Sequence, residues 1–177
     1  MKYQQLETER LILRNFTPQD LPFIYNHFSS SFVSRYLYDN EPPANIDEAN
    51  EILGWAMAHT SNYIRWCIVL KESNEQIGTI GFHRYDEQNN SAEIGYDLAE
   101  KYTKKGIMSE ALSCIIEHGK TAYGLHRLHA SVAVNNEASN ILLEKNGFLL
   151  EGICRDQYFF KDRYYDHKIW SYITDDR

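Results

Sequence analysis

Long apolar runs are missing from this chain. No segment approaches the roughly 18 apolar residues that a membrane-crossing helix needs. The opening Met1-Lys2-Tyr3-Gln4-Gln5 places no apolar core behind its lysine, so no signal peptide is expected either. A cytoplasmic location follows as the default. Cysteine is scarce: Cys67, Cys114 and Cys154 are an odd number, far apart, with no CxxC pair. Neither a disulfide framework nor a zinc site is suggested, and each thiol is expected to act as a small buried apolar residue. Positive charge is also in deficit. Eighteen Lys and Arg stand against 25 Asp and Glu, a formal net charge of −7, which argues against sequence-independent nucleic-acid binding. Internal repeats, low-complexity runs and linkers are absent, and 177 residues fit one domain spanning 1–177.

What remains is a soluble globular composition, 43% hydrophobic and 24% charged. The alternation of Leu11 and Leu13 predicts a strand from Glu9 to Arg14. Thr17-Pro18-Gln19-Asp20 reads as a helix start, with Thr17 as cap, and Asp47 is expected to cap a second helix. Between them Tyr38-Asp39-Asn40-Glu41-Pro42-Pro43-Ala44 reads as a loop. Ile64 to Lys71 and Gln76 to Tyr85 look like strands joined by a polar turn at Glu72-Ser73-Asn74-Glu75.

From Ser91 the pattern sharpens. Ala92, Ile94, Tyr96 and Leu98 alternate with Ser91, Glu93, Gly95 and Asp97, as in a strand. After a short loop, Met108, Ala111, Leu112, Ile115, Ile116 and Tyr123 recur at helical spacing, and Gly124 can end that helix. Leu128, Ala130, Val132 and Val134 alternate again. A short helix is expected from Glu137 to Lys145, then two strands, about Phe148 to Tyr158 and Tyr164 to Ile173, turning at Lys161-Asp162-Arg163. This order predicts an α+β fold, a mixed sheet flanked by helices.

The loop Tyr102-Thr103-Lys104-Lys105-Gly106-Ile107-Met108-Ser109 joins a strand to an amphipathic helix. A helix start offers unpaired N–H groups and a positive dipole end. Gly106 permits close approach of an anion, and Lys104 and Lys105 add charge, so the segment reads either as a phosphate cradle or as an ordinary loop with solvated lysines. It lacks the glycines of a dinucleotide loop and the Gly-Lys-Ser/Thr ending of a P-loop.

Several motifs in order carry a family resemblance. Ala92-Glu93-Ile94-Gly95-Tyr96, Lys105-Gly106-Ile107-Met108-Ser109-Glu110-Ala111-Leu112, Asn135-Asn136-Glu137-Ala138-Ser139-Asn140 and Glu144-Lys145-Asn146-Gly147-Phe148 resemble GNAT acetyltransferases. The opening Leu6-Glu7-Thr8-Glu9-Arg10-Leu11-Ile12-Leu13-Arg14 is similar to the branch that acetylates ribosomal-protein N-termini. The resemblance implies a mostly antiparallel sheet splayed in the middle, with acetyl-CoA as cosubstrate in the gap. It puts the pantetheine arm along Tyr96-Asp97-Leu98 and the pyrophosphate on Thr103, Lys104, Lys105, Gly106, Ile107, Met108 and Ser109. Further coenzyme contacts are expected from Asn135, Ser139, Asn140, Leu142 and Lys145. In the family's loop Thr103 replaces a usual Arg or Gln, and Met108 a usual Gly or Ala.

Acetylating an amine requires a neutral amine, oxyanion stabilisation and a proton for the departing thiolate. The resemblance makes Ser139 the candidate for contact with the leaving sulfur and for its proton; the alternative is a polar helix residue that faces solvent. Glu93 is the candidate base, or a surface glutamate on a half-exposed strand. Tyr158 stands where related enzymes place a glutamate and could hydrogen-bond the substrate. The aromatics around the last hairpin, Tyr158, Phe159, Phe160, Tyr164 and Tyr165, read mostly as sheet packing. His126, His129 and His167 show no metal-ligand spacing, and no metal is expected. The acceptor is then a primary amine, either a peptide N-terminus or a small molecule such as a polyamine. A non-catalytic acyl-CoA-binding regulator and a generic nucleotide-binding module are the rival readings. A homodimer is left open.

Overall fold

The computed structural model describes residues 2–38 and 41–174. Two short strands, β1 (Leu6–Glu7) and β2 (Leu11–Arg14), lead into helices α1 (Leu21–Phe28), α2 (Ser31–Ser34) and α3 (Ile46–Met57). Strands β3 (Ile64–Leu70), β4 (Glu75–Asp86) and β5 (Ser91–Leu98) follow, then α4 (Ile107–Tyr123), β6 (Arg127–Ala133), α5 (Glu137–Lys145), β7 (Leu149–Phe160) and β8 (Arg163–Ile173). They form one eight-stranded sheet in the order β1-β2-β3-β4-β5-β6-β8-β7. Every pairing is antiparallel except β5 with β6. The α+β class and the mixed sheet agree with the sequence.

The sheet is covered on both faces. On β3, Ile64, Trp66 and Ile68 point to a cluster that includes Ile107, Ala111, Leu112 and Ile115 of α4. The intervening Cys67 and Val69 point to the other side, against Ile24 of α1 and Ala49, Leu53 and Ala56 of α3. This is why β3 reads as a nearly continuous apolar run and not as an alternation.

Several boundaries differ from expectation for local reasons. β2 starts at Leu11, because Thr8 and Arg10 turn aside to bond Glu110. Asn45, not Asp47, caps α3: its side chain accepts the N–H groups of Asp47 and Glu48 at 3.0 Å each. Asp47 lies in the first turn, where its charge meets the helix dipole. Thr17 does stand at the helix start, in a capping box with Asp20, whose carboxylate accepts from the Thr17 N–H and hydroxyl. α2 has four residues, too few to leave a helical period in the sequence. Val134 lies outside β6 and is exposed. Of the three thiols only Cys67 is fully buried. Of the expected loop at 38–44, Asp39 and Asn40 lie outside the described residues.

Asp20 is the main buried polar anchor of the N-terminal half. Its carboxylate accepts two bonds from the Arg14 guanidinium, both 2.7 Å, and others from Thr17 N–H and Gln76. Burial alone would raise its pKa, but these donors outweigh it and hold the group at about 2. An unfolded aspartate titrates near about 3.9. The depressed folded value means stability present above pH 4 and lost as the pH falls toward 2. Asp20→Ala should therefore lower stability at pH 7 by about 3 kcal/mol, because it strands Arg14. It should also flatten the loss of stability between pH 4 and 2. Urea unfolding of both proteins at several pH values measures both effects.

Candidate active site

β5 and β6 pair over only three residues, Ser91–Glu93 against Arg127–His129. Beyond Glu93 they part. β5 continues alongside β4 as far as Leu98, and β6 alongside β8 as far as Ala133. The edge of β5 that faces β6 is therefore without a strand partner from Ile94 to Leu98. Its backbone donors and acceptors open onto a cavity of about 1280 Å³.

One arm of the cavity lies at the N-terminus of α4. Gly106 caps this helix at φ 73°, in the left-handed region, and Lys104 before it is also left-handed at φ 60°. The first intrahelical bond of the α4 start runs from Glu110 N–H to the Gly106 carbonyl. The N–H groups of Ile107, Met108 and Ser109 are thus left for another acceptor. Thr103, Lys104, Gly106, Ile107, Met108 and Ser109 all line the cavity here, and Leu142 and Lys145 of α5 face them. Lys105 does not line it. Its carbonyl accepts from Arg10, and its ammonium lies 5.5 Å from the centre of the Tyr102 ring.

A support under this loop escaped the sequence reading. Glu110, in the first turn of α4, accepts from the Arg10 Nε at 2.6 Å, the Arg10 N–H at 2.9 Å and the Thr8 hydroxyl. Burial would raise the Glu110 pKa, but the bonds from Thr8 and Arg10 bring it below its ordinary value. The turn between β1 and β2 thereby braces the start of α4.

Tyr96, Asp97 and Leu98 line the middle of the cavity. The Tyr96 hydroxyl meets the Ser139 Oγ at 2.6 Å, bridging β5 to α5 across the gap. Burial raises the Tyr96 pKa, so the phenol stays neutral and can donate. Ser139 is seated by Asn136, whose side chain caps α5 by accepting the Ser139 N–H at 3.3 Å. Asn135 also lines the cavity, and its carbonyl accepts from Tyr36. Asn140 does not. It is buried, with Nδ2 donating to the Asn136 carbonyl at 2.8 Å and Oδ1 accepting from Trp170 at 2.9 Å, which ties α5 to β8.

The Asp97 carboxylate is turned to a buried network. It accepts from His27 at 2.6 Å, Arg65 at 2.7 Å and the Thr79 hydroxyl at 2.6 Å. Burial pushes its pKa up, and His27, Arg65 and Thr79 overcome this to hold it at about 2. Only the backbone of Asp97 remains for a ligand.

The other arm holds the remaining candidates. Glu93 is buried, and its Oε2 accepts from Arg84 at 2.7 Å. Tyr158 lies close enough to Arg84 to help raise its pKa, and His129 lies 3.9 Å from the same Glu93 oxygen. Glu93, Tyr158 and the unforeseen His83 all line the cavity. His83 is kept neutral by burial and by the nearby cations Arg65 and Arg84, with its pKa lowered to about 4. Its Nε2 is buried without a hydrogen-bond partner and occupies the space a Cβ at Gly95 would need, 2.5 Å away. The hairpin aromatics do not simply pack in the sheet. Phe159 and Tyr164 are exposed, whereas Tyr165 stacks on Tyr38 at 3.9 Å and Tyr158 meets His167 at 4.6 Å.

An unpaired strand edge, a helix N-terminus with flanking lysines and a bridged serine fit an extended, phosphate-bearing thioester, and known proteins agree. Residues 10–149 match the model of the acetyltransferase (GNAT) domain. An uncharacterized N-acetyltransferase, YoaA of Bacillus subtilis, is 39% identical over 95% of this chain and 96% of its own length. The ribosomal-protein-serine acetyltransferase of Escherichia coli is 36% identical over 73% of this chain and 72% of its own. The crystal structure of spermidine N-acetyltransferase from Vibrio cholerae, in complex with CoA and spermine, superposes with a TM-score of 0.83. It covers 94% of this chain and 97% of its own at 25% identity. The chain belongs to the GNAT acetyltransferase family, whose members are enzymes with acetyl-CoA as cosubstrate.

Proposed function

We propose that the protein moves an acetyl group from acetyl-CoA directly to a primary amine, with Ser139 as proton donor and Glu93 as proton acceptor. The observation that carries this is the Tyr96–Ser139 bond across the parting of β5 and β6. The coenzyme's pyrophosphate takes the free N–H groups of Ile107 to Ser109, with Lys104 and Lys145 on either side. The pantetheine arm pairs along the free edge of β5, which carries the thioester toward Ser139. The amine nitrogen attacks the thioester carbonyl, the carbon–sulfur bond breaks, and Ser139 gives its proton to the departing thiolate. Tyr96 fixes the Ser139 rotamer, and solvent closes the cycle by returning a proton to Ser139 through the Tyr96 hydroxyl and taking the amine proton from Glu93. Arg84 occupies one oxygen of Glu93; the other receives the amine proton, directly or through a water. Tyr158, packed on His167, is the next proton donor in line should Ser139 be lost.

The relatives' names speak of a ribosomal protein and of spermidine as acceptors. The chemistry these have in common is a primary amine, and that is the acceptor proposed at this level.

Ser139→Ala is expected to reduce kcat by a factor on the order of 10² or more while leaving acetyl-CoA affinity unchanged, since proton donation matters only along the reaction path. Tyr96→Phe should give a smaller loss of the same kind. Steady-state CoA release with a separate titration of acetyl-CoA measures both. Parent-like turnover by Ser139→Ala would remove it from the chemistry.

Gly106→Val tests the coenzyme arm. A β-branched residue at φ 73° is strained, so the helix start should distort and coenzyme affinity fall, with the fold kept. Acetyl-CoA at 100 times its Kd should stabilise the parent by about 2.7 kcal/mol. That thermal shift should shrink or vanish in the variant; an undiminished shift would place the phosphates elsewhere.

A further inference from the structure

We infer that His129 is the outlet for the proton that Glu93 removes from the amine, relaying it from the reaction space to solvent. The inference rests on the acetyl-transfer reading and adds the group on which Glu93 unloads. His129 acts through Glu93 and touches no reacting atom.

The register of the sheet lays a polar row across four strands. His83 on β4 is the cross-strand partner of Glu93 on β5, Glu93 that of His129 on β6, and His129 that of Ser171 on β8. Laterally paired residues share a face of a sheet, so these side chains lie side by side. The row starts in the cavity, which His83 and Glu93 line. Beyond Ser171 stands Glu151, at the β7 bulge. Arg127 at 2.7 Å, with help from Ser171, lowers the Glu151 pKa to about 2, and its side chain is 42% exposed. The row therefore ends at the surface.

Glu93 needs such an outlet. Its side chain is 10% exposed, and under the proposed reaction its open side faces a cavity filled by coenzyme and acceptor. Arg84 bonds its Oε2 at 2.7 Å, but a guanidinium has no lone pair to take a proton. The His83 Nε2 is buried against Gly95. His129 combines reach with exposure: its Nε2 lies 3.9 Å from Oε2, and its side chain is 28% exposed. One bridging water, or tightening on substrate binding, closes that span.

The charges around His129 leave its ring neutral at pH 7. Burial lowers its pKa, Arg127 and Arg84 lower it further, and Glu93 and Glu151 oppose them. His83, itself neutral, and Ser171 add no charge. The step then balances. The new O–H bond of Glu93 breaks as the His129 Nε2 lone pair takes the proton, and the imidazolium gives a proton to water. An ordinary imidazole holds a proton more tightly than an ordinary carboxylate, with a pKa of about 6.5 against about 4.3.

CoA release at saturating acetyl-CoA, with spermidine and a serine-initiated peptide offered in turn, measures turnover. His129→Ala should lower kcat by about tenfold, short of the 10² at which direct general-base catalysis begins, with the KM for acetyl-CoA unmoved. His129→Gln keeps a polar side chain but cannot titrate, and should be as slow. Added imidazole should restore His129→Ala in proportion to its concentration and leave Glu93→Gln slow. Parent-like kcat in both His129 variants, or a loss that glutamine repairs and imidazole does not, overturns the inference and leaves acetyl transfer standing. NMR titration of His129 needs no acceptor. Glu93→Gln should lower its pKa, because the carboxylate that favours the imidazolium is gone; an unmoved pKa also overturns the inference. Failure of the parent to release CoA with any primary amine is instead a failure of the transfer reading.

Discussion

The parting of β5 from β6 after three residue pairs is the constraint on which the molecule turns. A strand edge inside a protein cannot leave its N–H and C=O groups unbonded without a large penalty. Here the edge from Ile94 to Leu98 is opened onto a cavity, which leaves its backbone groups accessible. The neighbours follow from it. α4 begins just past the end of β5 and aims its N-terminus at the same space. α5 begins just past the end of β6 and brings Ser139 over the gap to Tyr96. The bond from Trp170 to Asn140 ties α5 to β8 beside the gap.

An open sheet of this kind needs bracing, and the polar networks supply it. Arg10 and Thr8 hold Glu110 under the phosphate loop. His27, Arg65 and Thr79 converge on Asp97 and fasten α1, β3 and β4 to the strand that carries the free edge. Neither network reaches into the ligand space with an unsatisfied charge. This division explains how a loop with Thr103 and Met108 at its two unusual positions can still present its backbone donors: their aim depends on Gly106, Lys104 and the Glu110 clamp, not on a long polar side chain.

Much of this was legible in the sequence where local pattern and tertiary role coincide. The alternation in β5, the helical period of α4 and the glycine ends at 106 and 124 are local properties. What stayed hidden is contact between distant residues. Tyr96 and Ser139 are 43 positions apart, and nothing in either segment announces the other. Arg84 reaches Glu93 because the β4–β5 register slips after His83 and Arg84 adopts φ 53°, a bulge that no alternation reveals. Lys105 and Asn140 sit within cavity-forming segments yet turn away, since Lys105 follows a left-handed residue and Asn140 lies on the buried side of α5. The cap at Asn45 was missed because Asp47 is an equally good cap by residue type, and only the extended backbone at 45 decides between them.

The two arms of the cavity differ in what they recognise, and the difference bears on catalysis itself. The coenzyme arm binds by backbone donors and positive charge, which suit a polyanion. The other arm presents Glu93, paired with Arg84, beside His83 and Tyr158. Partial burial there favours the free amine over the ammonium, because the charged form gives up hydration. Only the free amine can attack a thioester. Under the proposed reaction, burial then shares the work of a base, and Glu93 has to remove only the proton that becomes acidic once the nitrogen has bonded to carbon. A carboxylate already paired with Arg84 is adequate for that later, easier transfer.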